Sequence, residues 1–436
     1  MPSLRSASLL VIVALSVPRE ARADDEPATP PPPAAPPIAE DDDDKVDKER
    51  TEAAGIPVVA GSTDIGVAFG AAGSIAHVAP GVRPYVWKID SQFSTSVKGG
   101  PDGMEFVQHA YDIRLDVPRG IFGKARLITE AGYDRTINSG YFGLGNQAPV
   151  VTDKNGEVGR RYQFRHEEVH ARVNVRASIG KPLYFANGIA LRYVAPKAYT
   201  DSKLAIDNRS TNDDGTRLVY GLQPLGITVL SSGLIYDSRD DEITPSQGGF
   251  HMFAMRFAGA TPTSADVVWT GHNTTLKFYR RVGDSPFVFA GRVFVDLLAG
   301  HVPFYDLSQA GAFEPIDFPG GAEGIRGVPN GRYSGLVKAV GNVEMRVFYT
   351  SVRLLGNRFK IGNNVFFDAG RIWKNYTFND DRDGSSLGLK FGTGVGFIVK
   401  VASAASFRAE FAYSPDASAA NPGFPIGIYV AEGLMF

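Results

Sequence analysis

Residues 56–436 repeat one pattern: apolar and polar side chains alternate in runs of about 10–15 residues, each closed by turn residues. A period of two sends successive side chains to opposite faces of a strand. In 287–299, Phe287, Phe289, Val293, Val295 and Leu297 share one face and Arg292 and Asp296 the other. In 335–349, Val337, Ala339, Val343, Met345, Val347 and Tyr349 oppose Lys338, Asn342, Glu344 and Arg346. In 387–400, Leu387, Leu389, Phe391, Val395, Phe397 and Val399 oppose Lys390, Gly392, Gly394, Gly396 and Lys400. In 407–414, Phe407, Ala409, Phe411 and Tyr413 oppose Arg408 and Glu410.

Two architectures accept such strands. In a soluble sandwich the apolar face looks inward, whereas in a transmembrane barrel it meets lipid and the polar face lines a wet lumen. Several features favour the barrel. Arg5, the apolar run 9–15 and Ala21-Arg22-Ala23 read as a secretory signal peptide over 1–23. The polar faces carry both charge signs and many glycines, which suits a packed aqueous interior. Loops alternate short and long, and Phe436 closes a final strand. Counting runs gives about sixteen strands, an even number as in single-chain bacterial barrels, from 56–62 and 65–78 to 424–436. Loops over 138–159, 198–221 and 301–334 are long. The expectation is an all-β, sixteen-stranded antiparallel transmembrane barrel at the bacterial outer membrane. Ahead of it, 24–55 reads as a disordered linker, because Pro30–Pro33 favours an extended chain and 40–44 is a block of acid.

Composition closes other routes. Without cysteine there is no disulfide, thiolate metal site or cysteine nucleophile, and a net charge of -2 argues against a nucleic-acid partner. His166-Glu-Glu-Val-His170 matches a zinc-protease motif that works on a helix. On an alternating strand the two histidines stand about 13 Å apart, too far for one zinc with ~2 Å bonds. The run 379–384 lacks the far glutamate of a calcium loop, and 320–324 lacks the Lys-Ser/Thr pair of a phosphate loop. No nucleophile–base constellation stands out, so the expectation is a non-enzyme without cofactor or metal.

Five motifs follow in order: 141–146 (Tyr-Phe-Gly-Leu-Gly-Asn), Tyr236-Asp-Ser-Arg-Asp240 leading to Gly248-Gly249, Gly324-Ile325-Arg326-Gly327, Asn342-x-Glu344-x-Arg346, and Phe367-Asp368-Ala-Gly370. Together, over 56–436, they resemble the barrel of the BamA/TamA superfamily, also called bacterial surface antigens. The resemblance implies a long loop folded into the lumen, with Arg326 reaching the wall carboxylates Glu344 and Asp368. Alternation independently puts Glu344 and Asp368 on the polar face, and a guanidinium between two carboxylates avoids an unpaired charge in a confined site. Two departures stand out. Val328 follows Gly327 where members usually carry an aromatic residue, and 24–55 is shorter than one periplasmic POTRA domain. The chain therefore resembles a POTRA-less branch, in which accessory periplasmic partners are not expected.

The function implied is assembly, insertion or translocation of client outer-membrane or secreted proteins, in contact with outer-membrane lipids. It would act at a seam formed by Val58, Val59 and Gly61 of the first strand and Gly427, Gly433 and Phe436 of the last, where unpaired backbone groups attract a client strand. The pinned loop would hold the wall opposite the seam. A passive channel or export pore and a structural surface antigen are the alternatives.

Overall fold

The computed structural model describes residues 48–62, 65–82, 84–100, 103–121, 123–152, 159–261, 266–354, 357–378, 380–401, 405–419 and 424–436. The signal peptide and most of the linker expected ahead of the barrel lie outside these residues. Sixteen long strands follow: β1 (Arg50–Ser62), β2 (Gly66–Val78), β3 (Trp87–Gly100), β4 (Gly103–Ile121), β5 (Ala125–Gly140), β6 (Gln163–Gly180), β7 (Leu183–Val194), β8 (Leu225–Asp237), β9 (Gly248–Thr261), β10 (Val268–Arg281), β11 (Phe287–Gly300), β12 (Val337–Leu354), β13 (Asn357–Trp373), β14 (Lys390–Val401), β15 (Ala405–Tyr413) and β16 (Ile426–Glu432).

Each strand pairs antiparallel with the next, β1 with β2 through to β15 with β16. The rolled sheet returns β16 to the side of β1. The alternation sorts residues as a barrel requires. Phe289, Val293, Val343, Val365, Phe367, Val395 and Phe411 are exposed on the lipid face, while Lys338, Asn342, Glu344, Arg346, Asp368, Arg408 and Glu410 are buried within. The first strand begins at Arg50 rather than 56, since Arg50–Gly55 continue the ladder opposite Gly73–Val78. The last strand stops at Glu432, short of the expected 436.

The outer loops build an apolar cap in which Tyr141, Leu144, Leu204, Val219, Val302, Phe304 and Leu307 pack together. The motif over 141–146 belongs to this cap: Tyr141 Oη donates to Asp207 (2.9 Å) and Asn146 Nδ2 to the Gly388 carbonyl (2.7 Å). The opposite mouth has short turns. One of them, 238–247, reaches across it: Glu242 pairs with Arg126 of β5 at 2.6 Å and Asp241 with Lys400 of β14 at 3.7 Å. Its root is set by Asp237, which accepts from Arg239 and from Arg176 of β6.

Candidate functional site

The loop between β11 and β12 runs into the lumen and crosses it. Glu314 pairs with Arg114 of β4 (2.7 Å), Asp306 with Arg192 of β7 (2.7 Å), and the Gly311 carbonyl accepts from Arg256 of β9 (2.7 Å). On the near wall, Lys338 of β12 donates to the Gln309 carbonyl (2.5 Å). Loop residues Phe318, Ile325, Val328 and Tyr333 pack on Phe294, Val340 and Ile372 of β11, β12 and β13. Val328, where the resembling family carries an aromatic residue, is fully buried in this cluster.

At the loop's deepest point Arg326 is 0% exposed. Its Nη1 donates to Glu344 (2.5 Å) and Glu410 (2.7 Å), and its Nε and Nη2 donate to the two oxygens of Asp368 (2.8 and 2.9 Å). The backbone amide of Arg326 also donates to Asp368 (3.0 Å), and the guanidinium lies 3.4 Å from the centroid of the Phe366 ring. Asn342 bridges the wall to the loop, donating to Asp368 (2.8 Å) and to the Gly324 carbonyl (2.9 Å). Further guanidiniums neutralise the surplus carboxylates. Arg346 donates to Glu344 (2.7 Å), Arg408 to Glu410 (3.2 Å) and to Glu323, and Arg292 to Asn342 (2.9 Å). Arg346 and Arg408 thus offset the surplus carboxylates, while Arg292 rests on the neutral Asn342 amide and the Glu323 carbonyl.

Backbone approach makes this contact possible. A Cβ on Gly392 of β14 would lie 1.8 Å from the Arg326 carbonyl oxygen, so the loop seats only against a bare backbone. Gly327 has φ +94°, and a Cβ there would press on Ser414 at 2.8 Å.

The structure thus brings Gly324, Ile325, Arg326 and Gly327 against Glu344 and Asp368. Sequence reasoning missed Glu410 and Phe366. Alternation had put Glu410 on the polar face, but no motif tied it to Arg326.

The chain matches the Omp85 superfamily domain over residues 155–428. The chain belongs to the Omp85 superfamily. It is a bacterial outer-membrane protein of a family of insertion and translocation factors, which are transporters or assembly factors rather than enzymes. Among solved structures, it is similar to BamA from Haemophilus ducreyi lacking POTRA domains 1–3, with 13% identity and a TM-score of 0.50, over 88% of this chain and 70% of that one. It is also similar to CdiB from Escherichia coli, with 12% identity and a TM-score of 0.53, over 88% of this chain and 62% of that one. No curated protein matches the chain. At such identities the likeness concerns the fold.

In this Omp85 barrel the expected seam residues divide. Val58, Val59 and Gly61 lie in β1, opposite Gly70, Phe69 and Val67 of β2. Gly427 lies in β16 opposite Ala412, and a Cβ there would meet the Tyr429 hydroxyl at 2.7 Å and the Gly327 Cα at 3.1 Å. It makes room for the loop. Gly433 and Phe436 are not strand residues: Gly433 turns at φ +78°, and Met435 and Phe436 are buried against Tyr279 and Ala290. Burial of the apolar tail against the lumen wall wins over extending the ladder, and Arg346 donates to the Phe436 carbonyl oxygen (2.7 Å). The expectation that the loop holds the wall opposite the seam is also corrected. Arg326 engages β12, β13 and β15, and the Gly327 amide donates to Tyr429 of β16 itself (2.8 Å). Below β16, Phe407 and Val401 share one apolar cluster with Ala72 and Ala54 of β2 and β1.

Proposed function

We propose that this chain inserts or translocates client outer-membrane or secreted proteins in the BamA/TamA manner, through the seam between β1 and β16. One observation carries the reading: the two edges are unequal. β1 has thirteen residues and β16 seven. Among the described residues, β1 is therefore longer than the strand that flanks it on that side. Such an edge accepts an incoming extended segment through main-chain hydrogen bonds. Lateral addition also fits a lumen crossed by its own loop, which a passive channel would have to displace. The structural-antigen reading accounts for neither the unequal edges nor the loop's contact with β16.

The native chain has no cysteine, so a lock can be introduced cleanly. Cysteine pairs placed one on β1 and one on β16 are screened for a disulfide that forms on oxidation and opens on reduction. Depletion of the protein in its own bacterium, followed by quantitative proteomics of the outer membrane, identifies clients. The oxidised lock is expected to reproduce that loss, and reductant to reverse it. An outer membrane unchanged by depletion overturns the proposal and favours a channel or structural role.

A further inference from the structure

Away from the seam, Asp112 of β4, Glu130 of β5 and His170 of β6 converge on the lumen. Their ligand atoms all lie within 4.8 Å of one another. Asp112, Gly132 and His170 stand in one row across the three strands, and the missing side chain at Gly132 leaves the gap they share. A Cβ there would sit 2.2 Å from Asp112 Oδ1 and 2.7 Å from His170 Nε2. His170 Nε2 faces two carboxylate oxygens at once, Glu130 Oε1 at 3.2 Å and Asp112 Oδ1 at 3.5 Å. A single ring N–H serves one of them at a time, and the Asp112 carboxylate, its side chain 43% exposed, keeps an open side to the lumen. From these contacts we propose that Asp112, Glu130 and His170 form a binding site for a first-row divalent cation of the zinc type.

The chemistry fits that class. One imidazole and two carboxylates suit Zn²⁺ and its neighbours rather than a soft, thiolate-seeking ion. Donors around an ion with bonds of about 2.0–2.2 Å sit roughly 3–3.5 Å apart, as both carboxylate oxygens do from His170 Nε2. The site opens on a lumenal cavity of about 520 Å³, from which solvent would complete an ion's coordination. On the far side of the ring, Glu168 Oε1 lies 3.8 Å from Nδ1, and Arg192 holds Glu168 at 2.8 and 2.9 Å. A carboxylate on that side favours the tautomer protonated at Nδ1, which leaves the Nε2 lone pair for the metal. Arg172 donates to the same Glu130 oxygen that faces His170, Oε1, and so competes with the ion for it; binding turns the guanidinium to the second carboxylate oxygen. The site does not use the His166–His170 spacing; it takes one histidine and recruits carboxylates from neighbouring strands.

The test uses the full untagged chain, folded in detergent and stripped with chelator, titrated with Zn²⁺ and with Co²⁺ as a spectroscopic probe. One equivalent is expected to bind, with cobalt absorption showing nitrogen–oxygen coordination. His170→Ala and Asp112→Asn should abolish it in barrels that keep native heat-modifiable migration. Gly132→Ala should weaken it at least tenfold with every donor present. If Gly132→Ala does not fold, Glu168→Gln replaces it, with an expected loss of about 10–100-fold through the ring's orientation. A wild-type chain that binds no equivalent, or binding unchanged by His170→Ala, overturns the assignment.

Discussion

The Gly327 amide donates to the Tyr429 hydroxyl at 2.8 Å, so the lumenal loop and the last strand of the barrel are directly bonded. Tyr429→Phe removes the acceptor and leaves that amide unpaired, which costs about 1–3 kcal/mol locally. Faster amide exchange along β16 is expected, with Arg326 still seated. Exchange in β16 equal to wild type would show that the bond does not steady the strand.

Arg326→Ala strands Glu344, Asp368 and Glu410 around an empty position. Breaking a buried pair this way costs about 3–5 kcal/mol. The barrel should still reach the outer membrane but lose heat-modifiable migration at lower temperature. Arg326→Lys should recover little, since an ammonium cannot reproduce the two-pronged contact with Asp368. Unchanged migration of Arg326→Ala would count against pinning.

Glu410 separates two accounts of the site. If it shares the Arg326 charge, Glu410→Gln alone is destabilising, yet much milder in the Arg326→Ala background. A double-mutant cycle of thermal midpoints measures the coupling. Strict additivity would mean that Glu410 serves Arg408 and Asn364 only.

Gly392→Ala tests seating without touching charge. Its Cβ would lie 1.8 Å from the Arg326 carbonyl, so the loop must withdraw or the wall must move. The expected phenotype matches Arg326→Ala. A Gly392→Ala barrel with native stability would show that the loop has slack at this point.

The tail provides a fifth test. Arg346 holds Phe436 by a hydrogen bond and lies 5.0 Å from its ring. In a Leu434→Cys reporter chain, Arg346→Ala should speed maleimide labelling by about tenfold, the effect of losing roughly 1.4 kcal/mol. Equal rates would place the tail's anchor in its apolar contacts alone.

Alternation by itself decided the strands, their faces and the inward placing of Glu344, Asp368 and Glu410, because a period of two is local and each strand carries it whole. The glycine-flanked arginine, read beside those strands, marked the loop. What sequence did not decide is that Glu410 joins Glu344 and Asp368 around Arg326, how far β1 extends, where β16 stops and which strands lie beside the loop. Phe436 continues the alternation of the last strand, yet its ring is drawn into the lumen by apolar contacts and arginines from strands some 90 residues away, as its bond to Arg346 shows. Asp112, Gly132 and His170 belong to three separate strands, and only their register makes them neighbours. Local pattern determines the wall, whereas closure of the sheet and the path of one loop determine what meets inside it, since those contacts join residues that no spacing along the chain relates.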